Sequence, residues 1–253
     1  MKVLRRARKY LKTRLQIYWG IGIISFFIGA LLFLISIPQF PLYVNLGRYE
    51  FSSGLWVTLL LIWAFYSRKK YRTFKKGFDG EQKVSDYLES KLSDDYHLIN
   101  DVKRLDGKGN IDHIILAQNG IFVLETKNNS GKIFFNGDNW SHGWSPVSQV
   151  RSNAYAVYDM ILSSKILNEK PDRVQGIVVF PNAEISRTKP NENPILTLKE
   201  LSSYLLDFRN NEKRYSVEEI EEIGKVILNI SNQADLTEEH FTQSIVGIIK
   251  EFF

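Results

Sequence analysis

The chain has 253 residues, of which 44% are hydrophobic and 24% charged, and this composition excludes an intrinsically disordered or collagen-like protein. The absence of cysteine excludes a disulfide framework, a thiolate zinc site and a thiol nucleophile. The formal charge of +5 is unevenly distributed: residues 1–76 carry a net +13, and the remaining residues carry a net −8. Two segments of different character are therefore joined in one chain.

Residues 1–76 have the pattern of a membrane anchor. Two uncharged, largely apolar stretches, at about 17–37 and 51–67, predict transmembrane helices, because about 20 apolar helical residues cross a bilayer core. Basic residues cluster outside both stretches, whereas the loop 38–50 holds one Arg and one Glu. The positive-inside tendency predicts a two-span protein of the cell membrane whose termini are both cytoplasmic, in contact with the lipid bilayer.

Each of these stretches has an alternative interpretation. A cleaved signal peptide also begins with basic residues and continues with apolar ones, although its apolar core is shorter. The second stretch is at the short end of the spanning range, so a buried or interfacial helix is the alternative there.

A helix is expected to begin the remaining part of the chain. Apolar residues recur at helical spacing from Glu81 to Leu92, directly after the segment Gly77-Phe78-Asp79-Gly80. Glu81 lies in the first turn of this helix. The simplest role for an acid at that position is a favourable interaction with the helix dipole.

Two β-type runs, 111–117 and 121–127, follow a predicted strand at 97–102. Asn119-Gly120 lies between them, and Asn-Gly between two apolar runs is a strong signal for a β-hairpin. The sequence therefore predicts two antiparallel strands joined by a two-residue turn at Asn119-Gly120.

That turn predicts the side-chain arrangement. Asp112 would lie opposite Lys127, and Glu125 opposite Ile114, so that Asp112 and Glu125 are diagonal neighbours on one face. His113 would point to the opposite face, where a packed or hydrogen-bonded histidine is expected. An ordinary cross-strand salt bridge explains part of this cluster. Two acids for one base also favour a bound cation, and oxygen ligands without cysteine favour Mg²⁺ or Mn²⁺.

The ordered motifs resemble those of the NERD (nuclease-related) domain, a branch of the PD-(D/E)XK restriction-endonuclease-like superfamily. The resemblance runs from about residue 77 to about 204 and is carried by these segments: Gly77-x-x-Gly80-Glu81, Gly109-Asn110-Ile111-Asp112-His113-Ile114, Gly120-Ile121-Phe122-Val123-Leu124-Glu125-Thr126-Lys127-Asn128, Gly131-Lys132-Ile133 and Trp140. It implies an α/β fold, with a restriction-endonuclease-like core in which helices flank a central mixed sheet.

The resemblance also implies roles for individual residues. The helix acid of the family falls on Glu81, its first metal acid on Asp112 and its Glu-x-Lys signature on Glu125 and Lys127. Its later helix glutamine falls on Gln149. Asp112, Glu125 and Glu81 would then hold Mg²⁺ or Mn²⁺, and all five residues would serve phosphodiester hydrolysis.

The rest of the chain completes the predicted domain organisation. A helix at 147–167, a strand at 174–180 and a helix at 199–208 would finish a nuclease-like domain spanning 77–208. Two further amphipathic helices are predicted in a C-terminal extension, 209–253: Val217–Ile230, with the capping pattern Ser216-x-x-Glu219, and Thr237–Phe253. This extension could pack on the core or contact a protein partner.

Two functions are compatible with these features. The first is a membrane-anchored, metal-dependent nuclease that cleaves DNA or RNA on the cytoplasmic side. The second is a catalytically silent binding or scaffolding module with the same fold. The net −8 disfavours broad nonspecific nucleic-acid binding, so the nuclease would need a local basic patch, for which the candidates are Lys103, Arg104, Lys108, Lys127 and Lys132.

Overall fold

The structure, a computed structural model, describes residues 1–6, 9–35, 50–140 and 145–252, with side chains for 1–6, 16–31, 58–140 and 145–236. Contacts divide the chain into two compact units, which are described separately below. The first, here called the sheet unit, comprises Met1–Ala7 and Asp79–Phe253, and the second, the helical unit, comprises Arg8–Phe78.

The helical unit contains helix α1 (Lys9–Ile35) and the first part of helix α2 (Glu50–Lys91). The rings of Tyr18 and Phe74 stack with their centroids 5.5 Å apart, which joins the two helices. Within the described ranges, no helix is both long enough and apolar enough to cross a membrane. The predicted spans at about 17–37 and 51–67 therefore gain no support from the structure, and residues 38–49 between them lie outside the described part.

The sheet unit begins with strand β1 (Lys2–Arg5) and continues from the last part of α2. Its further elements follow in this order: β2 (His97–Lys103), β3 (Asn110–Ala117), β4 (Gly120–Thr126), β5 (Ser130–Asn136), β6 (Asn139–Trp140), α3 (Pro146–Ser164), β7 (Gln175–Phe180), β8 (Asn182–Arg187), β9 (Ile195–Thr197), α4 (Leu198–Asp207) and α5 (Val217–Phe252).

The main sheet has six strands in the order β1-β2-β3-β4-β7-β9, and a second sheet has the order β6-β5-β8. In the main sheet, β2, β3 and β4 are antiparallel, whereas β1 with β2, β4 with β7 and β7 with β9 are parallel. The predicted α/β fold with a mixed central sheet is therefore confirmed.

Helices cover both faces of the main sheet because its central strands are apolar on both sides. Ile114 and Val123 belong to a core cluster with residues of α3 and α5. Their strand neighbours Ile115 and Phe122 belong to a second cluster, with residues of α2 and α4. The sheet is thus the middle of three layers.

The basic N-terminal residues have partners inside the sheet unit. β1 lies at the edge of the main sheet, parallel to β2. Lys2 pairs with Glu221 at 3.1 Å, and Arg5 pairs with Asp235 at 3.1 Å. Both acids belong to α5. Lys2 and Arg5 were predicted to contribute to membrane topology. Their ion pairs also hold the edge strand against α5.

The C-terminal region forms one helix where the sequence predicted two. The capping box at its start is confirmed, because the Glu219 amide donates to Ser216 Oγ at 3.1 Å and the Ser216 amide donates to Glu219 Oε2 at 2.8 Å. The helix then continues through residues 231–236, four of which are polar. Ser231 Oγ accepts a hydrogen bond from the Lys103 amide at 2.8 Å, so a side chain between the two predicted helices is used in a tertiary contact.

The hairpin turn lies one residue earlier than predicted. Ala117 pairs with Gly120, which places Gln118 and Asn119 in the turn. Asn119 is 2% exposed and donates from Nδ2 to the Leu205 carbonyl oxygen at 2.9 Å. A Cβ on Gly120 would lie only 3.0 Å from the ring of Phe208. Contacts with the region of α4 therefore override the local Asn-Gly preference, and a larger residue at position 120 would require the Phe208 ring to shift.

Gly80 and Gly77 give a matched test of how α2 packs. Alanine is favoured over glycine inside a helix by about 1 kcal/mol. A Cβ on Gly77 would meet no described atom within 4 Å, whereas one on Gly80 would lie 2.6 Å from Asn128 Cβ. We expect Gly77→Ala to raise the free energy of unfolding by up to about 1 kcal/mol and Gly80→Ala to lower it by roughly 1–3 kcal/mol. Urea unfolding of both variants checks this, and a stabilised Gly80→Ala protein would contradict the close packing.

Candidate active site

The candidate site lies where strands β3 and β4 separate. Their paired residues end at His113 and Leu124, and the next pair in this register would be Asp112 and Glu125. Instead, the Thr126 amide donates to the Asp112 carboxylate at 2.7 Å. The predicted register put Lys127 opposite Asp112, whereas the observed register puts Glu125 there. The predicted diagonal relation of Asp112 and Glu125 is therefore wrong by two residues. The error preserves the alternation of side chains, so both carboxylates still share one face.

The other edge of β4 stays paired beyond this point. Thr126 is in register with Val179 of β7, and the Lys127 amide donates to the Val179 carbonyl oxygen at 2.9 Å. β4 thus remains anchored in the sheet while its side toward β3 opens. We call this opening, defined by Asp112, Glu125 and Thr126, the strand fork.

Glu125 is only 2% exposed and has two polar partners. Lys127 donates from Nζ to Glu125 Oε1 at 2.7 Å, and Asn153 donates from Nδ2 to Oε2 at 3.3 Å. The Lys127 ammonium also donates to Gln149 Oε1 at 3.0 Å. A buried carboxylate is costly without such partners, so these contacts allow Glu125 to occupy the core edge.

Helix α3 supplies both amide side chains of the site. Gln149 and Asn153 are four residues apart and therefore lie on one helix face. Arg104, which is 6% exposed, donates from Nη1 to Asn153 Oδ1 at 2.8 Å and pairs with Asp106 at 2.5 Å. Arg104 thereby fixes the orientation of the Asn153 amide toward Glu125. This supporting position of Arg104 differs from its predicted place in a basic patch.

Glu81 approaches the fork from α2, on the other face of the sheet. Burial, together with the charges of Asp101 and Glu125, raises the pKa of Glu81 to about 8. Burial is the main cause, and the Lys127 ammonium acts in the opposite direction. The structure thus brings Glu81 into electrostatic range of the residues with which the sequence analysis grouped it.

Asp101 is a site neighbour that sequence reasoning missed. The β2–β3 register pairs Asn100 with His113 and Val102 with Ile111, so Asp101 faces the position of Asp112. Its backbone is left-handed, with φ of 54°, and its carboxylate accepts a hydrogen bond from Asn110 Nδ2 at 2.6 Å. The available signal was an acid next to the apolar residues Leu98, Ile99 and Val102 of the same strand. Its proximity to the other carboxylates depends on strand pairing.

The site holds more negative charge than its lysine balances. Burial, followed by the charges of Glu125 and Glu81, raises the pKa of Asp112. Burial also raises the pKa of Glu125, although the Lys127 ammonium lowers it. A divalent cation that prefers oxygen ligands would offset this negative charge. The carboxylate oxygens of the site therefore fit Mg²⁺ or Mn²⁺. In the described part of the chain, however, no set of three or more His, Cys, Asp or Glu residues is grouped closely enough to hold a metal ion.

The opposite face of β3 carries a separate polar network. His113 is fully buried, its Nδ1 lies 2.7 Å from Asn100 Oδ1, and Asn100 Nδ2 donates to Ser85 Oγ at 3.1 Å. Burial lowers the pKa of His113 to about 3. The prediction of a packed, hydrogen-bonded histidine facing away from Asp112 is therefore confirmed.

The predicted basic patch is largely paired with acids. Arg104 is buried against Asp106, and Lys108 lies 3.8 Å from the same carboxylate. Lys103 lies 4.0 Å from Asp235. These three residues thus do not form an open positive surface, and Lys127 is committed to Glu125.

Comparison with protein families identifies a nuclease-related domain. Residues 76–181 match the family NERD, described as a nuclease-related domain, and this match includes all five predicted site residues. A search of curated proteins yields no match. Among solved structures, the chain is similar to the crystal structure of protein VC1899 from Vibrio cholerae, with 8% identity and a TM-score of 0.26. That similarity covers 81% of this chain and 58% of the other, and at this level it defines neither fold nor activity.

The Lys127–Glu125 pair gives a stability prediction. Removing one partner of a buried ion pair leaves an uncompensated charge, at a cost of roughly 3 kcal/mol. The Glu125 side chain is 3% exposed and that of Lys127 is 26% exposed. We expect Lys127→Met to lower the free energy of unfolding by about that amount, and Lys127→Met with Glu125→Gln to recover most of the loss. Urea unfolding at neutral pH measures both, and equal losses in the single and double variants would contradict the expected recovery.

Proposed function

We propose that this protein is a metal-dependent nuclease of the PD-(D/E)XK superfamily that hydrolyses phosphodiester bonds of DNA or RNA. The observation that carries the proposal is the strand fork, where Asp112 accepts the Thr126 amide and Glu125 pairs with Lys127, within a segment that matches a nuclease-related domain. The amides of Gln149 and Asn153 complete this arrangement from α3.

The proposed cofactor is Mg²⁺ or Mn²⁺. Asp112 and Glu125 would hold it, and Glu81 would complete the acidic set. Such an ion, when bound, polarises a scissile phosphate and lowers the pKa of a bound water. Burial raises the pKa of Asp112, and the charges of Glu125 and Glu81 raise it further, so a cation bound beside Asp112 would offset these neighbouring carboxylates.

The other residues have roles that follow from their contacts. Lys127 would position a water or offset charge in the transition state, since its ammonium lies beside Glu125. Gln149 would hold that ammonium, because its amide oxygen accepts from Lys127 Nζ. Asn153 would keep the Glu125 carboxylate oriented, and Arg104 would keep Asn153 in place.

Site substitutions test the activity of the full chain. We expect Glu125→Gln and Asp112→Asn each to reduce cleavage at least about 100-fold, because they remove charge from the acidic set. Labelled single- and double-stranded DNA and RNA, incubated with Mg²⁺ or Mn²⁺, give the measurement. Glu169→Gln, an exposed acid outside the fork, is the matched control. Cleavage that persists in both site variants would refute the proposed site, and a purified chain that cuts none of the substrates would favour the catalytically silent binding module.

We also propose that the protein is anchored in the cell membrane with its sheet unit on the cytoplasmic side. The support is the charge pattern around the apolar stretches 17–37 and 51–67. Residues 1–7 and 79–253 belong to one compact unit, so the intervening segment leaves that unit and returns to it. A hairpin that crosses a membrane twice satisfies this connectivity, whereas a single crossing does not. Contact through the C-terminal extension with a protein partner is a further proposal, for which the length of α5 is the only support.

Membrane attachment is tested by fractionation and by a reporter fused after Phe253. We expect the chain to remain in the membrane pellet after an alkaline carbonate wash, because a spanning hairpin resists removal of peripheral contacts. The reporter should show the C-terminus on the cytoplasmic side. A chain released by the wash, or a reporter active only outside the cytoplasm, would refute the anchor or its orientation respectively.

A further inference from the structure

A groove lies beside the fork and carries an excess of positive charge. Its volume is about 720 Å³, and it is lined by residues of α2, β5, β8 and α4. Among its lining side chains are three lysines and one acid, Glu184. We call this feature the lysine groove and define it by Lys83, Lys132 and Lys199. The net charge of its lining side chains is positive, whereas the chain beyond residue 76 carries a net charge of −8.

The groove is tied to the fork by a short polar path. Asn128 follows Lys127 directly, and its Oδ1 accepts a hydrogen bond from Asn182 Nδ2 at 2.5 Å. Lys83 donates from Nζ to the Pro181 carbonyl oxygen at 3.1 Å and also contacts Asn182. Lys83 is two residues from Glu81 on α2. The same helix therefore contributes an acid to the fork and a lysine to the groove.

The paired strands set the distance between the two features. β4 and β7 run side by side into β5 and β8, which are also parallel. Lys132 is five residues beyond Lys127, so their Cα atoms are at most roughly 17 Å apart, the length of five fully extended residues. One strand of a B-form duplex spans this length with about five phosphates, and an extended single strand spans it with fewer. A nucleic-acid strand in the fork would thus reach the groove within a few nucleotides.

An aromatic side chain accompanies the lysines. Phe134 is 55% exposed and lies on the same face of β5 as Lys132, whose Nζ is 5.5 Å from the centre of the Phe134 ring. Lysines that contact the backbone and an exposed ring that stacks on a base are the two elements of single-strand binding. A base inside a duplex is already stacked and paired, and it cannot use this ring in the same way.

We propose that the lysine groove binds the backbone of single-stranded or unpaired nucleic acid, with Phe134 stacking on a base, and leads that strand to the fork. The inference rests on the proposed nuclease function. It identifies the local positive surface that an acidic nuclease domain needs. Glu184 is in register with Lys132 across β5 and β8, and it would weaken the binding of phosphate at that position.

Binding without cleavage tests the groove. The full chain is titrated in EDTA against a fluorescein-labelled 20-nucleotide single strand, as DNA and as RNA, and against the matching duplexes. Each lysine–phosphate contact contributes a salt slope of about 0.7 for single strands, or about fivefold in affinity at 0.1 M salt. Lys132→Ala with Lys199→Ala should therefore weaken binding roughly 25-fold and reduce the slope by about 1.4. Lys170→Ala with Lys213→Ala, which removes two exposed lysines elsewhere, is the control.

Two further variants separate the proposal from a folding defect. Glu184→Gln should tighten binding a few-fold, which a damaged fold would not do. Phe134→Ala should weaken single-strand binding about tenfold and change duplex binding little. The proposal is overturned if the double lysine variant matches its control in affinity and salt slope, if Glu184→Gln does not tighten binding, or if the duplexes bind more tightly than the single strands.

The outcome is distinguishable from that of the nuclease proposal. Loss of binding in the lysine variants, together with no cleavage by the unmodified chain, would leave the groove standing and refute the nuclease. Cleavage that depends on Glu125, together with unchanged binding in the lysine variants, would do the reverse.

Discussion

The separation of β3 and β4 at Asp112 is the constraint on which the rest of the site depends. A strand amide left inside the sheet without an acceptor would cost free energy, and the Asp112 carboxylate fills that role for Thr126. β4 remains attached to β7, so Glu125 keeps a fixed position at the edge of the core. The same arrangement that satisfies the backbone therefore places two carboxylates beside each other.

Three layers of the fold converge on this opening. α3 brings Gln149 and Asn153 from one face of the sheet, and α2 brings Glu81 from the other. Because the carboxylates lie where β3 and β4 end their pairing, side chains from both faces act on them. This arrangement leaves an excess of negative charge. Lys127 offsets it only in part, and a divalent cation would offset the rest.

Charge is organised locally in this protein, and its net value is a poor guide. Arg5 and Lys2 at the start of the chain pair with acids of α5, and Arg104 is buried behind the site. The lysine groove lies in a part of the chain with net negative charge. Strand pairing gathers Lys132 beside residues of α2 and α4 that are distant in sequence. The proposed binding of nucleic acid therefore depends on which lysines the fold brings together, and less on the total number of lysines.

The sequence by itself determined the chain order of β2, β3, β4, α3, β7 and α4, the α/β class, the side-chain alternation that places Asp112 with Glu125 and away from His113, and the capping box at Ser216. These features follow from local spacing and local hydrogen bonds. The predicted membrane spans have the same local basis but remain predictions. Tertiary structure decided the hairpin register, because Phe208 and Leu205 pack against the turn, and it decided the continuity of α5, because Ser231 is bonded to β2. It also decided the proximity of Asp101, the supporting position of Arg104 and the grouping of the three groove lysines. Each of these depends on contacts between residues far apart in the chain, and no local pattern encodes such contacts.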